Sequence, residues 1–395
     1  MNELEASAPH NCVDQTERPA SVIRVAHLIH TIAYGGVETA LLNWIQTMDP
    51  FHFETHLFCF ANPGHTEEPF MEAASARGIQ VRTIPWSRRK PVWRAARLLA
   101  ASLEASGVQV LHCHNTYADV VGVLTSKVFP VKTVTTLYVW GKFGFVRGAL
   151  QLIDRLLLPC FDQVTAHCQE TLQGTINRRY PAERLRLLQC GFQSEPVHLS
   201  EADRSAGRQA LGAADEDFVL INVARFYPEK AHDVLLQGFQ IVLKQRPRAR
   251  LWLLGVGPTM EKTRRLSERL ELGESVTFLG FRADLAKTLV LADMQVHASD
   301  VEGVPLAICA GMAAGLPIVA TRVGGLGEVL RDAVSGSLVE KQNPGQFAQA
   351  VLDLMANPEK RASLGSAAKR FIEEEYSLKA ATRRVEKVYE ELVRN

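Results

Sequence analysis

Residues 299–320 read SDVEGVPLAICAGMAAGLPIVA. A carboxylate, Glu302, stands before a short Gly-Val-Pro turn; an apolar helix follows, and the run closes on the strand-like LPIVA. With the strand MQVHAS just upstream, strand, turn, helix and strand succeed one another directly, as in a parallel sheet with helices laid on its faces. Pro305 has no N–H and suits a first helical position. The free amides at the helix start are therefore those of Gly303, Val304 and Leu306, and with the helix dipole they favour an anion. Gly303 lets such a ligand come close to the main chain.

The same rhythm extends outward. From Arg24 the chain alternates short apolar strands (RVAHLIH, FETHLFCF, GIQVRTIP, VQVLHCHN) with helix-length amphipathic segments as far as RLRLLQCG. It breaks over the polar, strandless FQSEPVHLSEADRSAGRQALG and resumes with DFVLINVAR, ARLWLLGVG, SVTFLGF, MQVHAS and LPIVATR. The expected fold is α/β: two doubly wound parallel-sheet (Rossmann-like) domains facing across a cleft, with ligands at the carboxyl ends of the strands. The expected divisions are a flexible N-terminal tail over residues 1–20, a first domain over 21–195, a second over 205–372, and a last helix over 373–395 free to pack back on the first domain.

At 395 residues the chain suits two cores rather than one. With 47% hydrophobic residues and a net charge of +1, it has no overall electrostatic drive towards nucleic acid, and no such partner is expected. Its seven cysteines form no CxxC pair and read as reduced, mostly buried thiols. No apolar run approaches the ~20 residues that span a bilayer, and the start lacks an apolar signal-peptide core. A cytoplasmic location is expected.

Three groups suit a diphosphate. Arg225 ends the first strand of the second half, and Lys230 opens the next helix after FYPE. A guanidinium grips two phosphate oxygens at once while an ammonium acts as a point charge, although taken alone both are ordinary surface residues. The amide turn after Glu302 is the third. An acceptor-only carboxylate there would repel phosphate unless it points past it to hydroxyls, which sugars carry; its plainer role is a helix cap. Gly35 and Gly36, in TIAYGGVET, follow the first strand of the first half. They form either a second close-approach turn across the cleft or an ordinary strand-to-helix turn.

Taken together, GGVET, NVARFYPEKAHDVLLQGF, LWLLGVGP, VTFLGFRADL, HASDVEGVPLAICAGMAAGLPIVAT and VGGLGEVL resemble the family 4 retaining glycosyltransferases of the GT-B fold, over residues 22–393 and most closely in the second half. The resemblance implies transfer of a sugar from a nucleotide-diphosphate donor to an acceptor hydroxyl with retained anomeric configuration, no cofactor and no obligatory metal. It implies that Arg225 and Lys230 stabilise the leaving diphosphate, helped by the amides after Glu302, and that Glu302 binds hydroxyls of the donor sugar. Gly36 would let the donor phosphates sit against the first domain, and LGFRADL would border the base through Phe281. No dedicated protein nucleophile is evident; front-face attack assisted by the leaving phosphate is the mechanism the family implies.

The departures from the pattern are informative. The family carries a second glutamate eight positions after the first, where this chain has Ala310. Eight residues of helix rise about 12 Å, which suits one carboxylate at the sugar and another at the nucleoside ribose. The enzyme is naturally weakened, or another group holds the ribose, or the alanine was introduced to disable it; as the best helix former it leaves the fold intact. Tyr138, in TTLYVWG, takes the place of a histidine that faces the sugar. A phenol still hydrogen-bonds but is a poor proton acceptor near neutral pH. Ala231 stands where a glycine often follows the lysine, and Cys190 replaces the common asparagine before Gly191.

In HCHN, His112 and His114 share one face of a strand. A metal pair there lacks a third ligand at metal-like spacing, so His114 and Asn115 are read as lining the acceptor cleft, with a structural histidine as the alternative. Between Arg77 and Arg97, seven basic residues (Arg77, Arg82, Arg88, Arg89, Lys90, Arg94 and Arg97) and no acid accompany Trp86 and Trp93. YVWGKFGFVRGALQL adds Trp140, Lys142, Phe143, Phe145 and Arg147. This pattern suits either a solvated helix face over core tryptophans or the anionic interface of a bilayer, where each nearby cation contributes about 1 kcal/mol. The second alternative makes the acceptor lipid-linked and the protein peripheral on the cytoplasmic face of the membrane, in polysaccharide, lipopolysaccharide or glycolipid assembly.

Three other classes compete. A catalytically silent nucleotide-sugar-binding protein of the same fold is suggested by Ala310 with Tyr138. A sugar epimerase would need a second carboxylate at the cleft. A nicotinamide dehydrogenase is disfavoured because GVGP lacks the full glycine fingerprint.

Overall fold

The computed structural model describes residues 22–31, 34–62, 64–87, 89–138, 152–176, 180–193, 197–303 and 306–394. The expected tail over residues 1–20 lies outside them. Strands that are apolar on both faces need cover on both faces. β1 (Ile23–Ile29) is buried from Val25 to Ile29, and it pairs in parallel with β2 (Phe53–Ala61) on one side and β4 (Val110–His114) on the other. β3 (Val81–Pro85), β5 (Lys132–Leu137), β6 (Gln163–Ala166) and β7 (Leu185–Leu187) complete a seven-stranded sheet in the order β3-β2-β1-β4-β5-β6-β7. A six-stranded parallel sheet follows, in the order β10-β9-β8-β11-β12-β13. Its strands are β8 (Phe218–Val223), β9 (Ala249–Leu254), β10 (Val276–Gly280), β11 (Met294–His297), β12 (Ile318–Thr321) and β13 (Ser337–Val339).

In each sheet the strand order reverses once, between β1 and β4 and between β8 and β11. The helices before and after such a point lie on opposite faces, so a crevice opens at the carboxyl ends of those strands. Directly after them come Gly35–Gly36, Asn115, Arg225 and Glu302. Amphipathic helices hold the sheets rigid. The helix Val92–Ala105 buries Ala95, Ala96, Leu99 and Leu103, spaced to form one stripe, and that stripe joins the core around Leu28, Phe58 and Leu111.

One segment departs from the expected divisions. The polar break contains the helix Glu201–Ala210, capped by Ser200 Oγ, which accepts from Asp203 N at 3.1 Å. Its Arg208 is 1% exposed and donates to Leu291 O at 3.0 Å and to Asp293 Oδ2 at 3.2 Å. The second domain therefore starts at this helix rather than at 205; its polar residues are a solvated face, apart from Arg208, which ties it to Asp293. At the other end, the chain returns to the first domain beside Phe192, whose N–H donates to Tyr376 O at 2.8 Å. The last helix, Leu378–Arg394, then buries Leu378, Val385, Val388 and Tyr389 against Val25, Trp44, Val110 and Val134.

Candidate active site

Glu302 lies in the turn after β11 and is 7% exposed. Three donors converge on its Oε1: Lys230 Nζ at 2.5 Å, Ser299 Oγ at 2.6 Å and His297 Nε2 at 2.6 Å. Burial alone would raise this carboxyl, but the charges of Lys230 and His297 and their hydrogen bonds hold it well below the usual carboxylate range. The surrounding turn is pinned twice. Thr321 Oγ1 donates to Ser299 O at 2.6 Å, and the amide of Asp300 donates to Glu229 O at 2.8 Å, tying this turn to the Lys230 loop. Gly324, in VGGLGEVL, has φ +52, and a Cβ there would stand 1.7 Å from Glu302 O. That position tolerates only glycine.

Sequence reasoning assigned Lys230 to phosphate and Glu302 to sugar; the structure pairs the two with each other. His297 and Ser299 were missed. Their signal is alternation: residues two apart at a strand end share a face, and both fall on the side of the strand that leads to Glu302. Gly303 is half-buried and Leu306 opens the helix Leu306–Ala313, while Val304 and Pro305 lie outside the described residues. Ala310 packs against an apolar cluster that includes Ile221, Leu254 and Leu289. Phe281 is 71% exposed and Val256 52% exposed. They stand on adjacent loops joined by Gly255 N to Gly280 O at 2.8 Å.

Arg225 reaches the opposite lobe. Its guanidinium lies 5.1 Å from the centre of the Tyr227 ring, and a Cβ on Gly35 would stand 3.6 Å from its Nη1 and 3.5 Å from Glu38 Oε2. A Cβ on Gly36 would meet nothing within 4 Å, so the space over that glycine is open. Glu38, also missed, accepts from Thr31 Oγ1 at 2.9 Å. Burial raises its carboxyl, opposed by hydrogen bonds and by Arg225. The lobes also meet through Glu328, whose Oε1 accepts from the amide of Gln169 at 2.7 Å.

The first-domain candidates fall differently. Asn115 holds φ +86, a strained value for a non-glycine residue. Its Nδ2 donates to His30 O at 2.6 Å, and its buried Oδ1 has no partner. His114 is fully buried and does not line the cleft. Its Nδ1 lies 2.6 Å from Tyr138 Oη and its Nε2 lies 3.1 Å from His27 Nδ1. The Tyr138 hydroxyl is therefore turned inward and not towards a donor sugar, because a buried imidazole needs its hydrogen-bond partner. Burial pushes that phenol well above its usual range.

His27 supplies the third ligand whose absence argued against a metal, since ring nitrogens of His27, His112 and His114 lie within 4.8 Å of one another. Hydrogen-bond directions decide against an ion. Thr165 Oγ1 donates to Thr135 O at 3.1 Å, so Thr136 Oγ1 must donate to Thr165 Oγ1 at 2.7 Å. Thr136 therefore accepts from His112 Nε2 at 2.6 Å, and His112 Nδ1 accepts from Tyr389 Oη at 2.7 Å. Both nitrogens of His112 are occupied, and the cluster is a hydrogen-bond network that fastens the last helix to β4.

On the outer side of the first domain, Arg82, Arg89, Lys90, Arg94 and Arg97 are exposed and Trp93 is 54% exposed. Arg77 donates to Tyr34 Oη at 3.2 Å. Trp86, in contrast, is a core residue whose ring centre lies 4.5 Å from that of Phe60. Leu152, Ile153 and Leu156 are exposed on the helical residues 152–157. Arg88, Trp140, Lys142, Phe143, Phe145 and Arg147 lie outside the described residues. Among the described residues, no helix is long and apolar enough to cross a membrane.

Known proteins share both halves. Residues 34–195 match the family described as Glycosyltransferase Family 4, and residues 203–371 match Glycosyl transferases group 1. The chain is 24% identical over 306 residues to the N-acetyl-alpha-D-glucosaminyl L-malate synthase of Bacillus anthracis, covering 76% of this chain and 79% of that one. It is 30% identical over 281 residues to a D-inositol 3-phosphate glycosyltransferase of Geodermatophilus obscurus, covering 66% and 62%. The crystal structure of Anabaena Alr3699/HepE in complex with UDP-glucose superposes with a TM-score of 0.81 at 20% identity, covering 93% of this chain and all 100% of that one. Two adjoining family matches that between them take in both lobes, on a pair of sheets with this strand order, establish that the chain belongs to the family 4 glycosyltransferases of the GT-B fold.

Proposed function

We propose that this glycosyltransferase moves a sugar from a nucleoside-diphosphate donor to an acceptor hydroxyl with retention of configuration. The observation that carries the reading is the pairing of Lys230 with Glu302, while Arg225, from the same loop as Lys230, reaches Gly35 of the opposite lobe next to the open space over Gly36. Two cationic side chains match the charge of a diphosphate without an obligatory ion, and a buried carboxylate held ionised beside them accepts hydroxyl protons from the sugar. In the step itself the bond from the anomeric carbon to phosphate breaks as the acceptor oxygen bonds to that carbon, and the acceptor proton passes to the departing phosphate oxygen. Positive groups preorganised at that phosphate supply the catalysis, each contact contributing about 3–4 kcal/mol. The Anabaena structure in complex with UDP-glucose supports the donor class. A thermal-shift screen with UDP-, GDP- and ADP-sugars tests it. A rise in melting temperature with one of them is expected, since a ligand of the native state alone stabilises it; no shift with any would refute the reading.

The exposed Trp93 among Arg89, Lys90, Arg94 and Arg97, together with the exposed Leu152, Ile153 and Leu156, favours a lipid-linked acceptor reached at an anionic membrane surface, as in cell-envelope polysaccharide, lipopolysaccharide or glycolipid assembly. Sedimentation with anionic vesicles, weakening with salt, is the expected result; no binding at low salt would end this part of the proposal. Ala310 and the inward-turned Tyr138 favour one second reading, a donor-binding protein without turnover. It wins if both this chain and Ala310→Glu bind a donor and neither hydrolyses nor transfers it.

A further inference from the structure

One of the three donors to Glu302 differs from the other two. Lys230 comes from a separate loop on a flexible stem, and under the reading above it is the group a diphosphate claims. His297 and Ser299 are fixed: His297 ends β11 and is 2% exposed, Ser299 is fully buried, and its carbonyl is held by Thr321. The single hydroxyl hydrogen of Ser299 goes to Glu302 Oε1 at 2.6 Å. Its lone pair, 2.9 Å from His297 Nε2, can share the ring's N–H with Glu302 Oε1 at 2.6 Å. His297 Nδ1 is buried without a partner, so the ring is committed through Nε2 alone. Among the described residues no donor reaches Glu302 Oε2.

We propose that His297, seconded by Ser299, is a positioning residue for donor-sugar recognition: it keeps Glu302 ionised and aimed while Lys230 passes from the carboxylate to the donor's diphosphate, so that Oε2 receives sugar hydroxyls. The inference rests on the nucleotide-sugar reading. A carboxylate this deeply buried, losing its ammonium with no other donor in place, would be stranded or would take up a proton, and a protonated carboxyl is a poorer acceptor. His297 and Ser299 remove that obstacle, and the lysine is free to move without collapse of the sugar site.

The test uses the full chain. The donor screen above identifies which of the UDP-, GDP- or ADP-sugars binds; calorimetry then compares that nucleotide sugar with its matching nucleoside diphosphate, on wild type, His297→Leu and His297→Gln. His297→Leu is expected to weaken the nucleotide sugar by about tenfold or more, as for loss of a hydrogen bond to a charged group. The nucleoside diphosphate draws Lys230 off Glu302 in the same way but presents no sugar hydroxyl to the carboxylate, and it is expected to lose clearly less, about threefold. His297→Gln, whose amide N–H reaches towards the same oxygen, is expected to recover most of the loss. Equal losses for both ligands, no loss for either, or failure of glutamine to rescue would each overturn the proposal. Should His297→Leu fail to fold, Ser299→Ala gives the same comparison. A wild-type chain that binds none of the nucleotide sugars defeats the donor reading and this inference with it; a wild type and His297→Leu that bind equally well remove only the role of His297.

Discussion

Replacing Lys230 by alanine removes the ammonium 2.5 Å from Glu302 Oε1, in a pair whose side chains are 15% and 6% exposed. Stranding one member of a buried ion pair costs ~3–5 kcal/mol. Because His297 and Ser299 still reach the same oxygen, the low end of that range, ~3 kcal/mol, is expected, or a fall of roughly 6–12 °C in melting temperature for domains of this size. Catalysis loses a contact to the departing diphosphate as well, about 10²–10³ in kcat. The two effects separate in the double variant Lys230→Ala/Glu302→Gln, which neutralises the stranded charge. Stability should largely return while turnover stays low. Acid gives a third readout. The depressed carboxyl of Glu302 contributes stability that is present above its unfolded pKa of about 4.3 and is lost as the pH falls through its folded value. The stability deficit of Lys230→Ala is therefore full at neutral pH and narrows below pH ~4. Urea unfolding at both pH values, with a donor-hydrolysis assay, measures all three. A variant that melts within about 1 °C of wild type and turns over within about threefold would mean that the ammonium neither stabilises Glu302 nor serves the diphosphate.

Other expectations follow from the same geometry. Gly324→Ala, with φ +52 and a clash at 1.7 Å, should lose at least ~2 kcal/mol in urea unfolding. Gly36→Ala meets no atom of the protein within 4 Å; its melting temperature should hold while calorimetry shows weakened donor binding. Tyr389→Phe removes the donor to buried His112 Nδ1 and should cost ~1–3 kcal/mol of stability without changing donor affinity. His27 is held neutral by burial, its pKa lowered to about 3. The unfolded ring takes a proton near pH ~6.5, so stability should decline as pH falls below that value and level off once the folded ring titrates; replacing His27 by an apolar residue should flatten that part of a pH–stability profile.

The sheet architecture was legible because strands buried on both faces leave continuous apolar runs, and the second crevice was legible because Arg225, Lys230 and Glu302 sit at fixed offsets from strand ends. The boundary near 205 was misplaced because a polar helix reads as a linker until Arg208 is seen paired with Asp293. Side-chain direction was the main thing hidden. No pattern in TTLYVWG says that Tyr138 turns inward, since that depends on His114 across the sheet, and the cluster with His27 exists only through the register that sets His27 beside His112. Glu38 and Glu328 act between lobes, at separations no local motif spans. The donor's base and sugar leave little trace in residue type where contacts run through the main chain.

A crystal structure of the chain soaked with the nucleotide sugar that stabilises it most tests the central claim directly. The diphosphate is expected within hydrogen-bonding distance of Lys230 Nζ and the Arg225 guanidinium, with Lys230 drawn off Glu302 and a sugar hydroxyl on the Glu302 carboxylate. A donor bound elsewhere, or a diphosphate in the crevice with the Lys230–Glu302 pair still closed and the sugar clear of Glu302, would contradict it.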